Sequence, residues 1–389
     1  MIDVIDPETL PEMQQSIKEC TAAQERLLNE LRSEAKLIAG SVRTIYPRST
    51  TAISLVASDG GNNKLVFDPF YIQLVRVVDS YGKQLFLNAV SPSTDTDTLS
   101  AAQFEADGIT PRTALGRLMH DLNVAKLSEL SPMIPTGDLA RKSPEKVRIS
   151  WVQDYRDLCE WAVLYDRICY ASFATNTLIV RDGLLRSKIF HGDLFIEMMD
   201  KIQDALKRIK RNDRRDVYIV GLAKHSKVLD RYRLAIALEN VFPEGEAKYA
   251  RIPRELERKA YIWQEWAKGV EESEGEGERP KFNAGDMYFV RFGPRGGDPI
   301  WPVDVFSPQS SKDSEIFGYL LADARDGFPI PFYPRCLQKA DEYAQVADLD
   351  LQILQDNVIN AIKKLIGTAQ MSNFDKFLFT ADMTGRRYR

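Results

Sequence analysis

The chain has 389 residues, a formal net charge of -4, 44% hydrophobic residues and 28% charged residues, which allows one large domain with insertions or two domains. The slight negative charge argues against a protein that coats DNA by bulk electrostatics, and no apolar run approaches the roughly 18 residues of a membrane-spanning helix. The N-terminus is acidic and lacks the apolar stretch of a signal peptide. Because the four cysteines lie far apart and form no CxxC pair, we expect a protein of the reducing cytoplasm, without a zinc site or a disulfide framework.

The first half of the chain predicts a helix followed by antiparallel strands. Residues 8–40 are rich in Glu, Gln, Leu and Ala, which favours a helix, and we treat 1–45 as an N-terminal helical segment. Strands are expected from β-rich stretches with short links at 51–58, 70–80 and 83–90. The polar run 91–100 is typical of a loop. A helix near 112–129, followed by an irregular stretch, indicates an insertion at 92–147.

The second half alternates helices with short apolar strands. Helices are expected where apolar residues recur at helical spacing, at 150–172, 192–211, 228–240, 254–268 and 335–366. Strands are expected at 177–180, 217–223, 286–292 and 299–306, the last two as a hairpin, whereas 316–324 fits either state. The acidic segment 269–284 is expected to be a flexible loop and 367–389 a tail. This order predicts an α/β fold: a ribonuclease H-like mixed sheet flanked by helices, within a domain at 46–366.

Two of the expected strands end in the same way, with an apolar run followed by Asp-Gly. They lead into Asp59-Gly60 and Asp182-Gly183. Such a strand places its carboxylate at the rim of the sheet, where ligands bind in open α/β folds, and Mg²⁺ or Mn²⁺ prefers oxygen ligands of this kind. Either sequence alone is more often a plain turn. The occurrence of both on separate buried strands is therefore what predicts a metal site.

Two further acids and one basic stretch each have two interpretations. Glu160 lies in the expected long helix and is either an exposed ion-pair partner of Arg156 or a third metal ligand. Asp341 lies near the start of the last helix, where it either favours the helix dipole or acts as a fourth ligand. The stretch from Lys207 to Arg215 is either the solvated end of an amphipathic helix or a DNA-binding surface. The candidate DNA contacts are Lys207, Arg208, Lys210, Lys224, His225 and Lys227.

Five short stretches resemble the NurA nuclease family. They are spread over about residues 50–350 and read SLVASDGG (54–61), RDLCEW around Glu160, LIVRDGLL (178–185), VGLAKHSK (220–227) and PFYPRCLQKADEYA (331–344). The two Asp-Gly stretches are the most similar to the family. Lys224, which follows a buried strand, also matches, and the resemblance implies that it contacts a phosphate of the substrate.

This resemblance implies more than the residue pattern does alone. Members of the family have a ribonuclease H-like fold, form homodimers, use Mn²⁺ or Mg²⁺, and degrade DNA as endonucleases and 5′-to-3′ exonucleases. They work with HerA, a hexameric DNA-translocating ATPase, and since this sequence has no Walker A pattern, ATP-driven movement would come from such a partner. On this basis we expect Asp59, Glu160, Asp182 and Asp341 to hold one or two metal ions. The expected catalytic set is Asp59, Glu160, Asp182 and Lys224.

The late motif departs from the family pattern. A histidine usually follows alanine there, whereas this chain has Asp341 after Ala340. A carboxylate remains a good ligand for a hard ion, so we expect Asp341 to replace the histidine and the metal preference to shift toward harder ions. The same departure motivates a second hypothesis, a non-catalytic dimeric adaptor of the ATPase that binds DNA. DNA end processing and defence against foreign DNA require the same site, so the sequence leaves both roles open.

Overall fold

The computed structural model describes residues 10–67, 70–143, 146–261, 281–345, 348–366, 370 and 373. Its strands are β1 (Arg43–Thr44), β2 (Ser54–Phe67), β3 (Phe70–Asp79), β4 (Gln84–Val90), β5 (Thr177–Asp182), β6 (Val217–Leu222), β7 (Lys248–Arg251), β8 (Gly285–Arg291) and β9 (Ile300–Phe306). They form one mixed sheet in the order β1-β7-β8-β9-β6-β5-β2-β3-β4. The predicted α/β fold with a mixed sheet is therefore confirmed.

Five of these strands form the part of the sheet that positions the site. In the segment β4-β3-β2-β5-β6, β3 is antiparallel to both β2 and β4, whereas β5 is parallel to β2 and to β6. In chain order these five strands are therefore arranged 3-2-1-4-5. This arrangement is compatible with the ribonuclease H-like core that the sequence predicts. On the other side of β6, the antiparallel strands β9, β8, β7 and β1 extend the sheet.

The helices surround this sheet. They are α1 (Leu10–Ala23), α2 (Glu25–Ala39), α3 (Thr96–Ala101), α4 (Ala114–Asp121), α5 (Leu127–Leu130), α6 (Gly137–Lys142), α7 (Trp151–Tyr170), α8 (Leu194–Asp213), α9 (Lys227–Leu238), α10 (Arg254–Lys259), α11 (Asp313–Arg325), α12 (Arg335–Ala344) and α13 (Asp348–Leu365). Short 3-10 turns lie at Thr50–Ala52 and Ser307–Lys312. In the described part of the chain, no helix is long and apolar enough to cross a membrane.

The central parallel strands contain continuous apolar runs because both faces of the sheet are covered. Alternate residues of a strand point to opposite faces. Ile179 of β5 packs with residues of α7 and α8, whereas its neighbours Leu178 and Val180 pack with residues of α11 and α12. Burial on both faces explains why TLIV and VYIV read as continuous apolar runs instead of alternating ones.

Most of the expected elements are present, but the strand that contains Asp59 is not the one predicted. The sequence suggested that a strand ends at residue 58 and turns at Asp59-Gly60. Instead, β2 continues through both glycines to Phe67. Antiparallel pairing with β3 continues along this part of β2, for example between Gly60 and Val77 and between Asn62 and Val75. Because this partner strand satisfies the backbone of the glycines, the chain has no need to turn there.

Other differences have local causes. The polar run 91–100 is not entirely a loop, because Asp95 accepts a hydrogen bond from the Asp97 N–H and caps α3. The helix expected at 112–129 is two short helices, α4 and α5, separated around Asn123, whose φ is 54°. The ambiguous 316–324 is helical, as part of α11. The N-terminal helix and the helix expected at 335–366 are each two helices, and the helix expected at 254–268 is α10, which ends at Lys259. Residues 262–268 of that expectation, and residues 269–280 of the acidic segment 269–284, lie outside the described residues.

Candidate metal and nucleic-acid site

Asp182 is the last residue of β5, at the carboxyl edge of the parallel strands. Gly183 follows with a φ of 100°, a conformation that favours glycine because it has no Cβ. The Gly183 N–H donates to the carbonyl of Leu222 at the end of β6 (2.8 Å). The second Asp-Gly therefore does what the sequence suggested: the strand stops at the rim of the sheet and presents a carboxylate there.

Asp59 reaches the same edge in a different way. Parallel pairing between β2 and β5 ends with Ser58 opposite Arg181, so Asp59 and Asp182 occupy the next position on adjacent strands. The Gly60 N–H donates to the Asp59 carboxylate (2.7 Å). A Cβ at Gly60 would overlap the Glu160 carboxylate. Gly60 is therefore required for clearance, because Glu160 lies against the backbone of β2.

The carboxyl of Asp59 has an environment that disfavours its charge. Burial first, and then repulsion by Asp182 and Asp341, raise its pKa to about 6, although the Gly60 N–H opposes this. Among the described residues, no lysine, arginine or histidine lies within ion-pair distance of Asp59. We call Asp59, Asp182 and Asp341 the acidic cluster. It brings together side chains that are 123 and 159 residues apart in sequence, as their positions show.

Lys224 provides a positive charge beside two members of the acidic cluster. It lies two residues beyond the end of β6, and its Nζ is 3.6 Å from an Asp341 carboxylate oxygen and 4.0 Å from an Asp182 oxygen. Asp341 lies on α12 and is half-buried. The pKa of Asp182 is raised by burial despite the nearby Lys224. The structure thus brings Lys224 and Asp341 to the edge where the two strand aspartates lie.

Glu160 lies beside the acidic cluster but has cationic partners of its own. Its carboxylate is 3.3 Å from Arg156 and 3.3 Å from Arg181, and only 11% of its side chain is exposed. The expected pair with Arg156 is present, but the expectation that it is exposed was wrong. Burial raises the pKa of Glu160 to about 8, and Asp157 and Asp59 also raise it, whereas Arg181 and Arg156 oppose the increase. Glu160 is therefore a buried acid that lies between Arg156 and Arg181, beside the acidic cluster.

Two residues near the acids were missed by the sequence reasoning. The Tyr333 hydroxyl donates to Asp182 at 3.5 Å, and the Lys224 ammonium lies 5.7 Å from the centre of the Tyr333 ring. Arg181 is almost fully buried, bonds Asp157 at 2.6 Å and stacks on Trp161. A signal for Arg181 was available, since a charged residue that directly follows the apolar run TLIV within a buried strand must find a partner. Tyr333 carried no signal beyond its place in the stretch PFYPRCLQKADEYA (331–344).

The basic stretch at the end of α8 lies at the other edge of the sheet. It leads into the first residue of β6, whereas Lys224 follows the last, so the six-residue strand separates them by about 20 Å. The structure therefore does not bring Lys207, Arg208 and Lys210 together with Lys224. Lys207 pairs with Asp204, Arg208 donates to the carbonyl of Cys169, and Lys210 pairs with Asp216. His225 and Lys227 are exposed beside Lys224.

The acids approach one another in pairs. In the described part of the chain, no three aspartate, glutamate, histidine or cysteine side chains are grouped closely enough to hold a metal ion as they stand, so binding would require the carboxylates to draw together. Their chemistry nevertheless fits a hard divalent cation. All donors are carboxylate oxygens. Burial first, and then the negative charges of Asp182 and Asp341, raise the pKa of Asp59, and a cation at this place would offset both effects.

Comparisons with known proteins gave similar solved structures only. No family model and no curated protein matches the chain. The crystal structure of the NurA nuclease from Sulfolobus solfataricus is similar over 95% of this chain and 99% of that one, with 14% identity and a TM-score of 0.42. A structure of NurA bound to dAMP and manganese covers 90% of this chain and 97% of its own, with 10% identity and a TM-score of 0.41. The similar structures thus include NurA nucleases, the family that the short motifs resemble.

Proposed function

We propose that this chain is a metal-dependent DNA nuclease whose active site is the acidic cluster with Glu160 and Lys224. The observation that carries the proposal is the convergence of Asp59, Asp182 and Asp341 with a lysine at one edge of the parallel strands. A group of like charges held together at a sheet edge destabilises the fold unless a cation is present. Carboxylates with a perturbed pKa at such an edge are typical of functional sites.

Each residue has a role that its position supports. Asp59, Asp182 and Asp341 would hold Mn²⁺ or Mg²⁺, with Glu160 as an inner ligand, in a site for two ions. When bound, such ions activate water and stabilise the leaving oxygen of a phosphodiester. The Lys224 ammonium lies close enough to the cluster to bind a phosphate oxygen there. The Tyr333 hydroxyl donates to Asp182 and so helps to orient its carboxylate.

The finer activity is also a proposal. We infer endonuclease and 5′-to-3′ exonuclease activity in a homodimer that acts with a HerA-type hexameric ATPase, in DNA end processing or in defence against foreign DNA. The support for these assignments is the resemblance of the short motifs. Manganese is the ion named for two of the similar structures, and we extend it to this chain with magnesium as the alternative.

The central test is cleavage of linear and single-stranded DNA by the purified protein. We expect cleavage with Mn²⁺ and none with EDTA. Asp182→Asn should abolish it, whereas Asp138→Asn, at an exposed acid on α6 remote from the site in sequence, should cleave like the wild type. Equal cleavage by Asp182→Asn and the wild type would refute the proposed site.

A second candidate function is a non-catalytic adaptor of the ATPase that binds DNA. The position of Lys224 favours it, since its ammonium lies near Asp182 and Asp341 and could neutralise these acids without a metal ion. The two functions differ in their response to Mn²⁺. A ligand that binds only the folded state raises the melting temperature, so the nuclease should be stabilised by Mn²⁺ at neutral pH and the adaptor should not.

A further inference from the structure

A cleft of about 490 Å³ opens beside Lys224. Residues of α9, the loop between β8 and β9 and the beginning of β9 line it. Its volume lies within the roughly 300–1,000 Å³ of ordinary ligand pockets. It is therefore large enough for a nucleotide-sized group and too small for a DNA duplex.

The cleft is continuous with the acidic cluster through shared residues. Lys224 lines the cleft and also lies 3.6 Å from Asp341. Trp301 lines the cleft as well, and its ring centre is 4.8 Å from that of Tyr333. Tyr333 in turn donates to Asp182. A polymer held at the acidic cluster can thus extend past Lys224 into the cleft.

The cleft combines apolar surface with positive charge. Ile236, Ala237 and Trp301 provide apolar contacts, and Lys224, His225 and Arg233 provide cationic or polar groups. Asp298 also lines the cleft, but its carboxylate accepts a hydrogen bond from the backbone N–H of Arg295 (2.7 Å). Apolar surface next to cations is the combination that binds the bases and phosphates of single-stranded nucleic acid.

Arg291 supplies an independent observation. It lines the cleft, yet only 2% of the residue is exposed. Its two terminal nitrogens donate to the carbonyls of Phe242 and Pro243 at 2.6 Å. Within the described residues, its Nε has no hydrogen-bond partner and its guanidinium forms no ion pair. Burial lowers the pKa of Arg291, whereas the Asp298 and Glu244 carboxylates favour its charge. What Arg291 leaves at the cleft is one buried N–H donor, Nε, that a ligand acceptor would satisfy.

We propose that the cleft binds the nucleotide adjacent to the one whose phosphate lies at the acidic cluster, and thus holds a single strand of DNA. This inference rests on the proposed nuclease function. The base and sugar contact Ile236, Ala237 and Trp301, and the phosphate lies near Lys224, His225 and Arg233. A single strand fits because its bases are free to enter a cleft of this size, whereas paired bases are not.

The test places a large side chain at the rim of the cleft, so that it occupies the space proposed for the nucleotide. Ala237 is exposed on α9 and lines the cleft, whereas the next residue, Leu238, is 53% exposed and does not line it. The affinity for a fluorescent single-stranded oligothymidylate is measured by anisotropy in EDTA, where no cleavage occurs. We expect Ala237→Trp to weaken binding by about tenfold, the effect of losing a stacked base, and Leu238→Trp to bind like the wild type.

A second variant keeps the proposal falsifiable if Ala237→Trp fails to fold. Arg233→Gln should weaken binding and flatten its salt dependence, whereas Arg325→Gln, which removes the same charge from the exposed end of α11, should not. Wild-type affinity in folded Ala237→Trp, or in Arg233→Gln, would overturn the proposal. So would full competition by thymidine monophosphate at equal concentration, since it would show a mononucleotide site only.

The outcomes separate this inference from the proposed nuclease function. If the wild type cleaves DNA but the cleft variants bind normally, only the cleft proposal fails. If the cleft variants lose binding but no DNA is cleaved with Mn²⁺ or Mg²⁺, the nuclease fails and the cleft remains a DNA-binding site.

Discussion

Within the described residues, two groups of three aspartates have opposite electrostatics. The acidic cluster joins Asp59, Asp182 and Asp341 at the edge of the sheet. The second group, which we call the Arg141 cluster, consists of Arg141 with Asp95, Asp97 and Asp138 in the insertion, and the guanidinium lies 2.8–3.0 Å from all three carboxylates. Lys126 and then Arg141 lower the pKa of Asp97, and Arg141 and then Lys142 lower that of Asp138, whereas the pKa of Asp59 is raised.

This difference shows that an aspartate cluster is not in itself a site. In the Arg141 cluster every carboxylate has a cationic partner within the chain, so ionisation stabilises the fold. In the acidic cluster Asp59 lacks such a partner among the described residues. Its ionisation therefore lowers the free energy of unfolding. A cation from solution would relieve that repulsion. The predictions below test this contrast, from the largest expected effect to the smallest.

Asp59→Asn should reduce Mn²⁺-dependent cleavage by more than about 100-fold, beyond the loss typical of residues that merely support metal ligands. The same change should raise the melting temperature in EDTA. Since the pKa of Asp59 is about 6 in the folded chain against an ordinary 3.8, the wild type loses stability as pH rises from about 4 to 6, whereas asparagine cannot ionise. The variant's advantage should therefore be absent near pH 4 and greatest above pH 6.

The matched control for this effect is Asp97→Asn in the Arg141 cluster. It should lower the melting temperature at neutral pH, because it removes a stabilising charge. If Asp59→Asn also destabilises the chain at neutral pH in EDTA, the two clusters do not differ in the way described.

Gly60→Ala should reduce cleavage by roughly 10–100-fold, the range for residues that position ligands. Its Cβ would overlap the Glu160 carboxylate and push that acid away from Asp59. Shortening the acid in the double variant Gly60→Ala/Glu160→Asp should restore part of the activity. Gly297→Ala is the control, because a Cβ there meets nothing within 4 Å. Full activity in Gly60→Ala would show that DNA cleavage does not depend on the position of Glu160 beside β2.

The sequence could predict only part of this site. Apolar runs and helical spacing predicted most of the strands and the long helix α7, because these depend on local periodicity. They missed the short strands β1 and β7, whose residues carry no such run. The resemblance supplied Glu160 and Lys224. Neither the periodicity nor the resemblance could show that Asp59 lies within a strand. The continuation of β2 depends on its pairing with β3, and the sequence Asp-Gly-Gly does not reveal that pairing.

Side chains that meet only through tertiary packing were beyond sequence reasoning. The contact of Tyr333 with Asp182 joins residues 151 positions apart, and nothing near either residue indicates the other. The position of the basic run at the end of α8 also depends on tertiary structure. It lies close to Lys224 in sequence, but β6 lies between them and carries the chain across the sheet.

Charge reversal at Lys207, Arg208 and Lys210 tests whether this opposite edge also contacts DNA. If DNA reaches across the sheet, binding should weaken several-fold, and the slope of log affinity against log salt should become shallower by up to about 2 for a single strand, because three phosphate contacts are lost. The measurement is anisotropy over a salt series in EDTA. An unchanged slope would mean that these side chains are a solvated helix end, held by Asp204 and Asp216.

Arg141→Met should produce the smallest effect, a decrease of about 1–2 °C in the melting temperature, because exposed ion pairs contribute little. The pKa of Asp138 and Asp97 is lowered in the folded chain. Their contribution is therefore present above about pH 4, where the unfolded carboxylates are also ionised, and is lost as pH falls below it. The difference between variant and wild type should therefore shrink in acid. The difference for Asp59→Asn also disappears near pH 4, but it has the opposite sign at neutral pH, because that change removes repulsion and raises the melting temperature, whereas Arg141→Met removes attraction and lowers it. DNA cleavage should be unaffected, since Arg141 neutralises only the acids of its own cluster.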